Sequence, residues 1–261
     1  MGKNARVAII GGGITGLSAA YELHRRGIPF VLFERANRLG GVIHTEFTEG
    51  FTIDGGPDSL LTQKPAAVEL CSELGLQDRL ISTLPPRTAY IYRAGQLYPL
   101  PRASVLGIPT HLKSFAAMPI LSASGKIRMA MDLIKPRTSR DRDESIGSFF
   151  RRRFGDESVA YIAEPLLAGI HAGDVDRLSM RAIFPTLVDA ERSYGSVIKG
   201  LHSRQRSNQP STGGLFRSLV GGIGELTSAI VENLSTSTLQ TNAEVTKITG
   251  GTPFRVHVAS G

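Results

Sequence analysis

The chain has 261 residues, 41% hydrophobic and 20% charged, which suits a folded protein of one large or two ordinary domains. Its single cysteine, Cys71, excludes a disulfide framework or cysteine-based metal cluster and points to a reducing compartment; no run of eighteen apolar residues exists to span a bilayer. The net charge of +7 is concentrated in residues 87–154, where thirteen Lys/Arg face four Asp/Glu, a balance suited to anionic lipid or an acidic ligand; without zinc-finger spacing or an aromatic RNA-binding stretch, no nucleic-acid partner is expected.

The first stretch organises the rest. Val7, Ala8, Ile9 and Ile10 form an apolar run that reads as a buried parallel strand. It leads into Gly11-x-Gly13-x-x-Gly16, after which Leu17, Ala20, Tyr21 and His24 fall on one side of a helix that Gly27 can end. Phe30 to Phe33 read as a second strand, closed by Glu34, eighteen residues after Gly16. This is a complete βαβ dinucleotide fingerprint. Gly11 permits the tight turn, Gly13 lets a pyrophosphate reach the backbone, and Gly16 lets the helix pack on the sheet. The helix N-terminus offers N–H groups to the phosphates, and Glu34 accepts from ribose hydroxyls while repelling a 2′-phosphate. The glycines of this segment match a phosphate loop, and it lacks the cleavage site of a signal peptide.

Next comes Arg35-Ala36-Asn37-Arg38-Leu39-Gly40-Gly41. The glycine pair supplies another close backbone approach, and Arg38 a fixed cation beside the expected phosphate. Glycine loop, acid and Arg-x-Gly-Gly together resemble the flavoproteins related to monoamine oxidase and phytoene desaturase. The resemblance implies FAD. It also implies that the strand and turn at 51–59 lie close to the flavin ring. Asp54, read from its turn alone, is expected to satisfy turn N–H groups.

Further on, Ala67, Leu70, Cys71 and Leu74 make a helical face behind Pro65, closed by Gly75. Residues 87–93 and 96–101 read as a hairpin turning at Ala94-Gly95. From 101 to about 133 the pattern is helical and irregular, with Ile127, Met131 and Ile134 as an apolar stripe; 135–144 is a charged loop. A helix over 146–154 sets Phe149, Phe150 and Phe154 beside Arg151-Arg152-Arg153, a pattern for a lipid-headgroup interface or for an ordinary amphipathic helix.

Residues 164–181, with Gly-Ile-His-Ala-Gly-Asp at 169–174 and Leu-Ser-Met-Arg at 178–181, followed by Phe184-Pro185, are similar to the protoporphyrinogen oxidase branch of that flavoprotein family. Residues 204–214 read as a loop, 219–234 as a segment opening into a helix, and 243–258 as two strands joined at Gly250-Gly251. The resemblance implies an α/β Rossmann-like FAD-binding domain (1–86 and 213–261) with an inserted, mostly helical substrate and membrane-associating domain (87–212), the C-terminal part of the family fold being absent. It implies a cofactor set of Gly11, Gly13, Ile14, Thr15, Gly16, Glu34, Arg35, Arg38, Gly40, Gly41, Gly56, Pro57, Asp58, Ser59 and Val245. Substrate contacts would be Arg87, with Arg93 as its competitor, and Gly169; no metal is expected. The implied reaction is FAD-dependent oxidation of protoporphyrinogen IX by molecular oxygen. Coproporphyrinogen III, an amine or a carotenoid are alternative substrates, and a non-catalytic nucleotide-binding fragment is the remaining reading. A cytoplasmic protein is expected, with peripheral membrane attachment and a homodimer as compatible arrangements.

Overall fold

In a computed structural model, which describes residues 7–101, 104–105, 107–109, 116, 118–137, 142–168, 173–207, 214–251 and 253–259, the chain divides into two units. One is Met1–Leu84 with Ser211–Gly261, the other Pro85–Pro210.

The first unit starts with β1 (Val7–Ile10), α1 (Ile14–Arg25) and β2 (Phe30–Phe33). β1 and β2 are parallel, Val7 opposite Phe30. Leu17 and Ala20 of α1 are buried with Phe30 and Leu32, because that helical face lies on the sheet. His24, expected on the same face, is exposed in the last turn, where a basic group suits the helix dipole. A hairpin follows, β3 (Thr45–Thr48) with β4 (Phe51–Asp54), then β5 (Leu60–Leu61), α2 (Ala66–Glu73) and β6 (Leu80–Ser82). Cys71 is fully buried in α2, and burial pushes its thiol pKa up, so it is a packing residue.

The second unit opens with the hairpin β7 (Tyr90–Arg93) and β8 (Gln96–Pro99). Ala94 and Gly95 both have positive φ, as a two-residue hairpin turn requires. A short ladder joins β9 (Ser104–Val105) to β10 (Ile108–Pro109). In α3 (Ala123–Ala130) the expected apolar stripe faces outward: Ile127 is 67% and Ile134 81% exposed. Gly125, Met129 and Asp132 are buried instead. A 3-10 turn at Met131–Leu133 breaks the helical period, and the buried Arg153 guanidinium holds Asp132 inward.

α4 (Ile146–Phe154) buries Phe149, Phe150 and Phe154 as an aromatic cluster, the last two rings 5.3 Å apart between centroids. Its three arginines are all paired within the unit. Arg151 forks onto Asp176 at 2.5 and 2.8 Å. Arg152 reaches Glu144 at 2.6 Å and Glu191 at 2.7 Å, and those carboxylates outweigh burial to push its pKa up. Arg153 is buried on Asp132 at 2.5 Å. A π-helical segment, Val159–Ala168, a short helical turn at Met180–Ile183, α5 (Pro185–Tyr194) and α6 (Val197–Ser207) follow.

Back in the first unit, β11 (Phe216–Leu219) pairs antiparallel with β5 and β6. The sequence pattern opens toward a helix from 219; α7 (Gly224–Glu232) begins five residues later. The Gly221-Gly222 turn, with φ of 82° at Gly222, separates strand from helix. β12 (Leu239–Gln240) adds to β2 in parallel, giving the order β1-β2-β12. β13 (Val245–Thr249) and β14 (Arg255–Val258) form the last hairpin. Leu17, Leu32, Cys71, Leu226, Ile230 and Leu234 share one core. No helix among the described residues is long and apolar enough to cross a membrane.

Candidate functional site

Each glycine of the β1–α1 turn has its own reason. Gly11 holds φ at 99°, a region that disfavours a side chain. A Cβ on Gly16 would sit 1.9 Å from the Gly11 carbonyl oxygen, so only glycine lets α1 seat on the turn. Gly13 differs. It is the N-cap of α1 at φ −72° and ψ 179°, a conformation open to any residue. A Cβ there would meet nothing nearer than Gly41 Cα at 3.9 Å. The fold does not require glycine at this place, and the backbone here is open to a ligand. No side chain caps α1, and its first turn holds no acid. The N–H groups and positive dipole end therefore suit an anion.

The second glycine pair lies on the first loop. Gly40 N–H donates to Gly12 O at 2.8 Å, Gly13 and Gly40 form a parallel bridge, and a Cβ on Gly41 would come within 2.9 Å of Gly13 Cα. Arg38 secures this turn by donating to Gly41 O at 2.8 Å and Ile43 O at 3.4 Å. Part of its donor set is therefore engaged on backbone.

Glu34 follows β2 and turns toward the loop. Its Oε2 accepts Gly12 N–H at 2.6 Å and its Oε1 accepts Ala36 N–H at 2.8 Å. The Ala36 and Gly12 N–H groups, with the Arg35 charge, hold the carboxyl below the usual carboxylate range. Each oxygen keeps acceptor capacity for a sugar hydroxyl. Glu34 N–H donates to Gln240 O, and Glu34 O accepts Ala243 N–H, both at 2.8 Å. Val245 opens β13 two residues after Ala243.

From the glycine loops the backbone leads on. Gly55 N–H donates to His44 O at 2.8 Å, and a Cβ on Gly56 would lie 2.0 Å from Val42 O. Pro57 and Asp58 are exposed. Ser59 Oγ donates to Asp58 Oδ1, and Ser218 Oγ to Asp58 O, both at 2.9 Å.

The structure thus gathers Gly11, Gly13, Gly16, Glu34, Arg38, Gly40 and Gly41 into one cluster. Ile14 is half-buried at the start of α1, while Thr15 and Arg35 are exposed beside the cluster. Arg87 lies in the second unit, exposed ahead of β7. Arg93 donates to Ile120 O at 3.1 Å and stacks 3.6 Å from the Tyr161 ring centroid, so packing employs it. Gly169 lies outside the described residues. Sequence reasoning missed Thr45, whose Oγ1 accepts Gly224 N–H at 2.9 Å; its register partner Asp54 was the available signal. Among the described residues no group of His, Cys, Asp and Glu could hold a metal ion.

The family profile of flavin-containing amine oxidoreductases matches residues 14–261. The coproporphyrinogen III oxidase of Bacillus subtilis is 38% identical over 98% of this chain and 57% of its own length. Protoporphyrinogen oxidase 2 of Arabidopsis thaliana is 31% identical over 92% of this chain and 49% of its own. A solved structure of a candidate protoporphyrinogen oxidase from Exiguobacterium sp. 255-15 superposes with a TM-score of 0.81 at 34% identity, over 99% of this chain and 57% of that one. The chain spans about half the length of the curated relatives it matches.

Proposed function

The chain belongs to the flavin-containing amine oxidoreductase family, and we propose that it binds FAD and forms the dinucleotide-holding part of a porphyrinogen oxidase. One observation carries the reading: Gly40 and Gly41 lie backbone to backbone on the Gly11–Gly16 loop beside the Glu34 carboxylate. The residues fit the cofactor, because the space in front of Gly13 is open and the α1 N-terminus carries no competing acid.

When bound, FAD supplies the acceptance of a hydride from the ring's bridging carbon, with oxygen as the final acceptor. The chain does the rest by binding and orientation. The first turn of α1 counters the diphosphate. Glu34 takes the ribose hydroxyls and rejects a 2′-phosphate. Val245 would hold the adenine through its backbone, and Gly56 to Ser59 would hold the ring end. Arg87 pairs with a propionate arm, a planar fork meeting a carboxylate.

Two porphyrinogens suit this reading. Protoporphyrinogen IX is supported by the Arabidopsis relative, coproporphyrinogen III by the higher identity to the Bacillus relative. Membrane attachment draws no support from Arg151 to Arg153, whose charges are matched inside their own unit. The test is to purify the protein, record flavin absorbance, and compare turnover of the two porphyrinogens. Bound flavin with turnover of either supports the proposal. A protein that takes up no FAD overturns it.

A further inference from the structure

We propose that a groove of about 440 Å³ in the first unit, lined by Asp58, Ser59, Ile81, Ser82, Phe216 and Arg217 among others, receives a carboxylate-bearing edge of the tetrapyrrole, with Arg217 as its cation. This rests on the porphyrinogen reading and adds a carboxylate-recognising position built entirely from the first unit.

The groove lies where the extended cofactor leads. Glu34 fixes the sugar end and Gly13 the diphosphate. From Gly13 close approaches pass to Gly41, from Val42 to Gly56, and from Asp58 to Ser218, which is itself in the groove lining. A dinucleotide held at Glu34 and Gly13 therefore extends its other end along this backbone track toward Asp58 and Ser59.

The lining has the chemistry of a flat acid with an apolar body. Ile81 and Phe216 are 46% and 43% exposed, apolar walls open to a ring. Serine hydroxyls rim them at 59, 82 and 218. Arg217 Nη1 donates to Ser82 Oγ at 2.6 Å. Among the described residues that is its single side-chain hydrogen bond, and it forms no ion pair there. Asp58, the groove's one carboxylate, accepts Ser59 Oγ–H. The Arg217 fork is thus oriented by a neutral hydroxyl while its charge remains available to an incoming carboxylate. The volume falls within the range of small-molecule sites, roughly 300–1,000 Å³.

The test uses the FAD-loaded chain and two air-stable probes, coproporphyrin III and its tetramethyl ester, with binding read by porphyrin fluorescence. Arg217→Gln is expected to weaken the acid about ten-fold, the scale of one charged hydrogen bond, and the ester less than about two-fold on the same basis. Arg217→Lys restores part of the acid preference. Unchanged acid binding in Arg217→Gln overturns the groove assignment while leaving the porphyrinogen reading intact. An equal loss for acid and ester also overturns it, since the residue then serves the fold. If the FAD-loaded chain binds neither probe, the porphyrinogen reading fails and the groove assignment with it.

Discussion

Asp54 Oδ1 accepts the backbone N–H of Ile223 at 3.0 Å, across 169 residues of sequence. It also accepts Thr45 Oγ1–H at 2.5 Å, and Thr45 in turn accepts Gly224 N–H at 2.9 Å. Two facing residues of the β3–β4 hairpin thus cap α7, which supplies Leu226 and Ile230 to the core beneath α1. Asp54→Ala is expected to lower stability by about 1 kcal/mol, the usual cost of losing a helix cap. The check is the denaturant midpoint. Asp54→Asn, which keeps an acceptor, should recover most of the loss.

Gly13 and Gly16 separate folding from binding. Gly16→Ala places a methyl 1.9 Å from Gly11 O, so the cofactor-free protein should already be destabilised by overpacking, by about 1–3 kcal/mol or more. Gly13→Ala meets open space at an ordinary φ and ψ. Its thermal midpoint without FAD should match the parent protein, while FAD affinity falls sharply because the methyl occupies the phosphate's approach. A Gly13→Ala protein that binds FAD normally would place the diphosphate elsewhere.

Glu34 makes a pH-dependent contribution of definite sign. Its folded pKa lies below the ordinary 4.5, held down by Ala36 and Gly12 N–H groups. The stabilisation is present above 4.5 and is lost as pH falls through the depressed value. Glu34→Gln should therefore be less stable than the parent at neutral pH, with the gap closing on acidification. The same variant should bind FAD roughly ten-fold more weakly at neutral pH, on the scale of charged hydrogen bonds. Calorimetric titration across pH checks both.

What the sequence alone reveals depends on range. β1, α1 and β2 were legible because strand run, glycine turn and helical face are all encoded within thirty neighbouring residues. The hairpin turn at Ala94-Gly95 was legible for the same reason. β11 was not: its partners Leu60 and Ser82 lie far back in the chain, and four residues beside a glycine turn look like a helix approach. β12 is only two residues long, too short for any period. The stripe of Ile127, Met131 and Ile134 shows the limit of periodicity. Spacing reveals which residues share a face, but the buried ion pair of Asp132 and Arg153 decides which face turns inward. The gathering of the two glycine loops was legible from glycine spacing, whereas the support of Thr45 and Asp54 on α7 was not.

The second unit's stability is expected to hinge on one arginine of three consecutive ones. Arg153 and Asp132 are buried, and Arg153 also donates to Asp132 O at 2.9 Å and Gly195 O at 3.0 Å, while Asp132 Oδ2 accepts Ser196 Oγ–H at 2.6 Å and Ile198 N–H at 3.0 Å. Removing one partner leaves a buried charge and several backbone groups unmatched. Arg153→Met should therefore cost about 3–5 kcal/mol. The neighbouring Arg151 and its partner Asp176 are about half exposed, so Arg151→Ala should cost no more than about 1 kcal/mol. Hydrogen exchange across α4 and α5 measures both. Replacing Asp132 together with Arg153 by apolar residues of similar size should regain part of the loss, because no lone charge then stays buried. Equal effects of Arg153→Met and Arg151→Ala would mean that burial does not set the strength of these pairs.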